Sequence, residues 1–270
     1  MKLTYAKAKA HEQASELLSK PTLTEEERCF VLAHWRAGAR HINTLAGAYF
    51  TPAGLARDLA FEVGEGPIID LCAGIGMLAF HARRQIGPDQ RLVCVEINPD
   101  YVAVGKKILP HATWICCDIF DLPEVGHFSY AISNPPFGRL PRRGRAPRYR
   151  GARFEYHVID IASDLADFGV FLVPQESTPF LYSGQSQFSQ VPRHRVSDYW
   201  EFEDSSTIEF EMNCGFDTSQ YRDDWDGVSP MTEIVLTDFG ESRRRRTVGT
   251  TVELFALAQP QSRESPSQPE

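Results

Sequence analysis

The stretch Pro67–Phe80, PIIDLCAGIGMLAF, decides the fold. Its first residues are a near-continuous apolar run of the kind found in strands buried on both faces. Asp70 ends that run, Gly74 and Gly76 supply a tight turn with close backbone approach, and helical spacing begins at about Met77. Three more short β-rich runs follow: RLVCVEIN (91–98), ATWICCD (112–118) and FSYAISN (128–134). Helical segments, MLAFHARRQ and PDYVAVGKKIL, separate the first three runs. Strand and helix alternating in this way predict a parallel sheet with right-handed crossovers, hence an α/β domain.

On the N-terminal side, Thr24 and Glu27 have capping-box spacing ahead of an apolar-bearing helix. A second helix is predicted from Thr51 and Pro52, with Leu55, Leu59 and Val63 on one stripe. On the C-terminal side come a helix, EYHVIDIASDLA, with Val158, Ile161, Ala162 and Leu165 on one face, and a strand, FGVFLVP. STIEFEMNC and MTEIVLTDF then follow without helical material between them, so they are expected to pair antiparallel. The predicted organisation is a helical extension over 1–46, an α/β domain over 47–258 and a disordered Ser/Pro/Gln-rich tail over 259–270.

A chain of 270 residues can bury a sizeable core. Its net charge of -8 argues against coating nucleic acid with the whole surface, so any polyanion site must be local. The first residues lack an apolar signal-peptide core, and no apolar run approaches the roughly 20 residues that span a bilayer; a soluble, cytoplasmic protein is expected. The six cysteines include no C-x-x-C pair, so buried structural thiols and no metal are expected.

Asp70, Glu96 and Asp118 each end one of three successive strands, which places three carboxylates along one rim, the ligand-binding edge of an open parallel sheet. Glu96 lies about twenty residues beyond the glycines, where an acid can accept hydrogen bonds from both hydroxyls of a ribose. The loop has no lysine and lacks the third glycine of a dinucleotide fingerprint, so it favours a nucleoside over a pyrophosphate. Asp118 could accept from the exocyclic amine of that nucleoside's base. The fourth strand ends in Asn134-Pro135-Pro136-Phe137. There two prolines fix the main chain, the Asn134 amide oxygen and the Pro135 carbonyl can converge on an amino group, and Phe137 offers a flat face to a flipped base.

The order AGAYFTP (46–52), DLCAGIG (70–76), VEINPD (95–100), CDIFDL (117–122) and NPPF (134–137) resembles the S-adenosylmethionine-dependent amino-methyltransferases. The YFTP segment is similar to that of the N6-adenine DNA methyltransferases. The resemblance covers roughly 45–175 and implies a Rossmann-like class I methyltransferase fold, with a mostly parallel seven-stranded sheet and an antiparallel late strand. It also implies S-adenosyl-L-methionine as cofactor. Tyr49, Phe50 and Thr51 would lie near its methionine end, with Asp70, Cys72, Gly74 and Gly76 shaping the loop beneath. Glu96 would hold the ribose, Ile97 would pack on the adenine, Asp118 would bind its N6, and Ile119 would complete that pocket. Asn134, Pro135, Pro136 and Phe137 would take the target base. No Pro-Cys nucleophile for carbon methylation is present.

The fifteen residues from Arg139 to Arg153 gather Arg139, Arg142, Arg143, Arg145, Arg148, Arg150 and Arg153 without an acid among them. They are expected to bind nucleic-acid phosphates, and Gly138, Gly144 and Gly151 suggest a loop that orders only when substrate arrives. The YFTP segment favours DNA over RNA. Only about 130 residues follow NPPF, too few for a large recognition domain as well as the rest of the sheet. A specificity subunit, relaxed specificity or an RNA substrate would each account for that. Further candidates are the aromatic and basic segment from Gln175 to Trp200, weighted toward a satellite core, and Arg243 to Arg246, as a hairpin tip or a phosphate clamp. The acidic loop 215–230 does not have calcium-loop spacing. The competing classes are an RNA base methyltransferase and a non-catalytic scaffold.

Overall fold

The computed structural model describes residues 5–36, 49–87 and 89–258, with side chains as far as 248. The expected tail over 259–270 and the start of AGAYFTP, 46–48, lie outside the described residues.

Helix α1 (Tyr5–Leu17) leads to α2 (Glu25–His34), which starts with the full Thr24–Glu27 capping box. Helix α3 (Ala53–Ala60) follows, and its Leu55 and Leu59 are fully buried. Then β1 (Ile68–Leu71), α4 (Met77–Ile86), β2 (Leu92–Glu96), α5 (Pro99–Ile108), β3 (Thr113–Cys116) and β4 (Phe128–Ser133) form the predicted alternation. After the arginine-rich segment come α6 (Phe154–Leu165) and β5 (Ala166–Pro174), a two-stranded ribbon of β6 (Phe180–Leu181) and β7 (Ser189–Gln190), and α7 (Ser197–Ser206). The last elements are β8 (Glu211–Met212), β9 (Thr232–Asp238) and α8 (Phe239–Ala258).

The sheet has seven strands in the order β3-β2-β1-β4-β5-β9-β8. The first five are parallel, β9 runs antiparallel to β5, and β8 pairs antiparallel with β9. The expected antiparallel pair is therefore present, although its first member is only two residues long. Side chains alternate between two apolar layers. Ile68, Cys94, Ile132, Val170 and Ile234 join the layer under α3 to α5, while Ile69, Val93, Ala131, Phe171 and Val235 join the layer under α6 and α7.

Pairing of Asp70 with Cys94 and Ile132, and of Glu96 with Cys116, aligns the strand ends. The first-strand loop, Glu96, Asp118 and Asn134 thus share one sheet edge. Gly76 (φ +91°) starts α4, and a Cβ there would lie 3.1 Å from Leu109 and 3.2 Å from Trp114, so only glycine fits comfortably.

Candidate active site

Glu96 is buried and both its oxygens hold backbone: Oε2 accepts from Gly74 N at 2.8 Å and Oε1 from Asn98 N at 2.8 Å. Burial raises its pKa, opposed by those backbone hydrogen bonds. The glycine loop is therefore tied to the second strand through this carboxylate, whose remaining lone pairs are open to a ligand. Asp118 caps a short turn, with Oδ1 accepting from Phe120 N at 3.1 Å. Asp70 is 1% exposed; Oδ2 accepts from Ala79 N at 3.1 Å, and Oδ1 has no partner. Burial pushes its carboxyl well above the usual range, and the nearby Glu96 charge adds to the shift. Cys72, between the acid and the glycines, sits at φ +61°, a left-handed conformation that costs a non-glycine residue on the order of 1 kcal/mol.

Asn134 is fixed from the side of its amide nitrogen. Nδ2 donates to the Tyr49 carbonyl at 3.0 Å and to Thr51 Oγ1 at 2.9 Å, while Oδ1 is buried without a partner. Behind it, the Ser133 hydroxyl donates to the Leu71 carbonyl and locks the strand end to β1. Phe50 packs between Trp35 and Tyr101, at ring separations of 6.2 and 5.2 Å, which seats the Tyr49–Thr51 segment on α2 and α5.

These groups surround a cavity of about 610 Å³. Of the predicted residues, Tyr49, Phe50, Cys72, Gly74, Glu96, Ile97, Asp118, Ile119, Asn134, Pro136, Arg142 and Arg143 line it. Thr51 and Asp70 line a small adjoining pocket of about 30 Å³ that shares Tyr49, Phe50, Cys72, Gly74 and Asn134 with the large one. Gly76, Pro135 and Phe137 do not line the large cavity; Pro135 is buried and Phe137 half-buried. Residues missed by sequence reasoning include Tyr101 and Phe120, which follow the second and third strand ends, and Leu140, Pro141 and Phe154, which flank the arginines. Position just past a strand end was a usable signal for the first two. Ile97, 63% exposed, presents bare apolar surface to the cavity.

The arginine-rich segment is a closed loop that is already pinned, contrary to the expectation of an order that waits for substrate. A bridge between Arg139 and Arg153 and the Phe154 N to Gly138 O hydrogen bond (2.8 Å) close its neck. Buried acids of α6 hold it: Glu155 accepts from Gly138 N at 2.8 Å, and Asp160 accepts from Arg148 N and Tyr149 N at 2.7 and 2.8 Å. Gly144 and Gly151 permit close packing, since a Cβ would fall 2.5 Å from Phe120 and 2.2 Å from the Tyr149 hydroxyl.

The seven arginines are not equivalent. Arg148 pairs with Asp160 and Asp164, and Arg153 with Asp198 and Glu176, so their charge is internally matched. Arg139 is exposed and 3.5 Å from Asp198. Arg142 and Arg150 donate to loop carbonyls. Arg143 and Arg145 are exposed and have no hydrogen-bond or ion-pair partner among the described residues.

Two other expectations are corrected, for Arg243 to Arg246 and for the cysteines. Arg243 to Arg246 are on α8, not a hairpin tip, and are engaged: Arg243 with Asp167, Arg244 with Glu241, Arg245 with Glu209, and Arg246 with the Ser206 carbonyl. In the aromatic segment the core reading wins for Phe180, Tyr199 and neighbouring Phe202, all buried. The acidic loop packs on α3 and the N-terminal helices, with the Tyr221 hydroxyl donating to Asp58 and Asp226 pairing with Lys7 and Arg36. All six cysteines are free, but only Cys94 is buried; Cys29, Cys116 and Cys214 are exposed. Among the described residues no acid, histidine and cysteine cluster could hold a metal, and no helix is long and apolar enough to cross a membrane.

Solved structures are similar to this chain. A candidate class I S-adenosylmethionine-dependent methyltransferase from Listeria monocytogenes is 14% identical with a TM-score of 0.52, over 82% of this chain and 69% of that one. A candidate RNA methyltransferase from Pyrococcus horikoshii is 15% identical with a TM-score of 0.49, over 80% and 98%. A type I restriction-modification methyltransferase subunit from Streptococcus thermophilus is 14% identical with a TM-score of 0.44, over 73% and 47%. No protein-family model and no curated protein matches the chain. The chain has the Rossmann-like fold of class I methyltransferases, as the strand order and the Listeria structure together show.

Proposed function

We propose that the protein is an S-adenosylmethionine-dependent N6-adenine methyltransferase acting on DNA. The observation that carries this reading is Asn134: its nitrogen is held by Tyr49 and Thr51, and its buried oxygen is left unpaired beside the cavity. A buried acceptor without a donor is costly, and an amino group is the donor it lacks.

The residues fit the cofactor. Glu96 retains lone pairs for two ribose hydroxyls, Ile97 and Ile119 offer apolar cover for an adenine, and Asp118 Oδ2 remains for the adenine amine. Tyr49, Phe50, Thr51 and Asp70 would surround the methionine end, over the loop shaped by Cys72, Gly74 and Gly76. When bound, the cofactor supplies a methyl group on an electrophilic sulfonium. Asn134 Oδ1 and the Pro135 carbonyl would accept hydrogen bonds from the two N–H groups of the target amine, favouring a pyramidal nitrogen whose lone pair points away from them, toward the methyl; as the nitrogen–carbon bond formed and the sulfur–carbon bond broke, the amine would lose one proton to solvent. Positioning is then the main catalytic contribution.

Phe137 would stack on the extruded base, worth roughly 1–3 kcal/mol against the few kcal/mol of unstacking. Arg143 and Arg145 would touch flanking phosphates. Such contacts carry no sequence information, so target selection falls to other surfaces, a specificity subunit among them. The preference for DNA rests on the YFTP resemblance. Methyl transfer from labelled cofactor by wild type and Asn134→Ala tests the reading: equal transfer by both would overturn the role of Asn134.

A further inference from the structure

His157 on α6 is fully buried, and both its ring nitrogens are bonded to the arginine loop. Ala146 N donates to Nδ1 at 3.2 Å, and Nε2 lies 3.1 Å from the Gly151 carbonyl. A carbonyl only accepts and a backbone N–H only donates, so the ring is neutral with its proton on Nε2. The Gly151 carbonyl also accepts from Arg142 Nη2 at 2.8 Å, and Arg142 lines the large cavity. The Phe120 ring, another lining residue, meets the imidazole edge-on at a centroid distance of 5.9 Å, and Tyr149 covers it at 4.9 Å. One side chain thus touches the loop at two points, a cavity-lining arginine through a shared carbonyl, and a cavity-lining aromatic directly.

We propose that His157 is a positioning residue of the cofactor cavity, holding the loop from Leu140 to Gly151 closed as its outer wall. This rests on the methyltransferase reading for the identity of the ligand, though not for the loop geometry. The role needs an acceptor and a donor on opposite sides of a rigid ring, which of the neutral side chains histidine supplies directly. The groups facing the ring are Arg142 and Arg150 from the loop, Asp160 from its own helix, and the Tyr149 ring. Burial, followed by the Arg142 charge, holds its pKa down to about 4. A second proton would have to sit on Nδ1 against the Ala146 N–H, and the contact would open.

Three measurements on the full chain test this. In ¹⁵N-detected NMR, His157 should show the Nε2–H tautomer and stay neutral to about pH 4; an Nδ1–H tautomer or titration near that of free histidine contradicts the assignment. In calorimetry with S-adenosylmethionine, His157→Leu should bind about tenfold more weakly than wild type, because two hydrogen bonds are removed. His157→Asn, which keeps the acceptor toward Ala146, should fall between them. Limited trypsin digestion should cut within Arg142–Arg150 faster in the Leu variant than in wild type, again with Asn intermediate. Unchanged affinity together with unchanged cleavage overturns the proposal. If His157→Leu fails to fold, the Asn variant and the NMR titration still decide it. Wild-type protein that binds no cofactor would overturn the functional reading instead, leaving the tautomer and the cleavage pattern as the test of the loop.

Discussion

Replacing Asn134 by alanine should separate binding from chemistry. In the folded protein the side chain spends its nitrogen on two protein acceptors, at 3.0 and 2.9 Å, and has no other hydrogen-bond partner. Removing two neutral hydrogen bonds, each with a net value of about 1 kcal/mol, is partly offset by removing the buried unpaired oxygen, so stability should fall by less than about 2 kcal/mol, readable as a shift in the urea midpoint. Both partners, Tyr49 and Thr51, belong to the segment assigned to the cofactor's methionine end, and neither to the carboxylates and apolar residues assigned to the nucleoside, so cofactor affinity by calorimetry should fall by no more than about tenfold, about 1.4 kcal/mol. Methyl transfer is different. The unpaired oxygen is assigned to the amine as charge develops on it, and removing one such preorganised hydrogen-bonding group costs about 10²–10³ in rate. Single-turnover assays with excess enzyme isolate that step. A variant whose rate stays within tenfold, or whose cofactor affinity falls in step with its rate, would refute the assignment.

Replacing Arg143 and Arg145 together by alanine should flatten the salt dependence of DNA binding by up to about 0.9 for each phosphate no longer neutralised; Arg148→Ala should instead destabilise the fold by roughly 3 kcal/mol, because Asp160 stays buried without its ion-pair partner. An unchanged salt slope in the double variant would show that these two side chains do not touch phosphates. Gly105→Ala should cost about 1–3 kcal/mol of stability, read as a lower Tm, because its Cβ would fall 2.1 Å from the Trp114 ring. Asp70 carries a pH prediction. Burial raises its folded pKa above the unfolded value, so its favourable neutral form is fully present at low pH and is lost as pH rises. The stability of Asp70→Asn relative to wild type should therefore increase between pH 4 and pH 8; a flat difference in denaturation midpoints would contradict it.

The α/β core was legible because its strands are apolar runs ended by Asp70, Glu96, Asp118 and Asn134, and a parallel sheet puts such ends on one edge. The arginine loop was legible only as charge. Its structure depends on Glu155, His157 and Asp160, polar residues on a helix whose apolar stripe was already assigned to the sheet. Periodicity marks the apolar face of α6 and says nothing about a second face buried under a loop. For the same reason Arg148 and Arg153 looked available: their partners Asp160, Asp164, Asp198 and Glu176 are distributed over three later segments. The arginines at 243–246 read as a hairpin tip or a phosphate clamp because a run of like charge masks helical spacing, whereas Glu241 lies three and four residues before Arg244 and Arg245. The cavity residues Leu140, Pro141 and Phe154 carry no motif; the fold of the loop brings them to the strand edge.

The most direct test is the identity of the product. Wild-type protein with methyl-labelled cofactor should be offered separate pools of double-stranded DNA, single-stranded DNA and total RNA, each then digested to nucleosides and separated. Label in N6-methyldeoxyadenosine, slowed about 10²–10³-fold by Asn134→Ala, is the predicted result. Label confined to RNA would overturn the choice of DNA, label in a methylated guanosine would overturn adenine, and no transfer from a cofactor that binds would overturn catalysis.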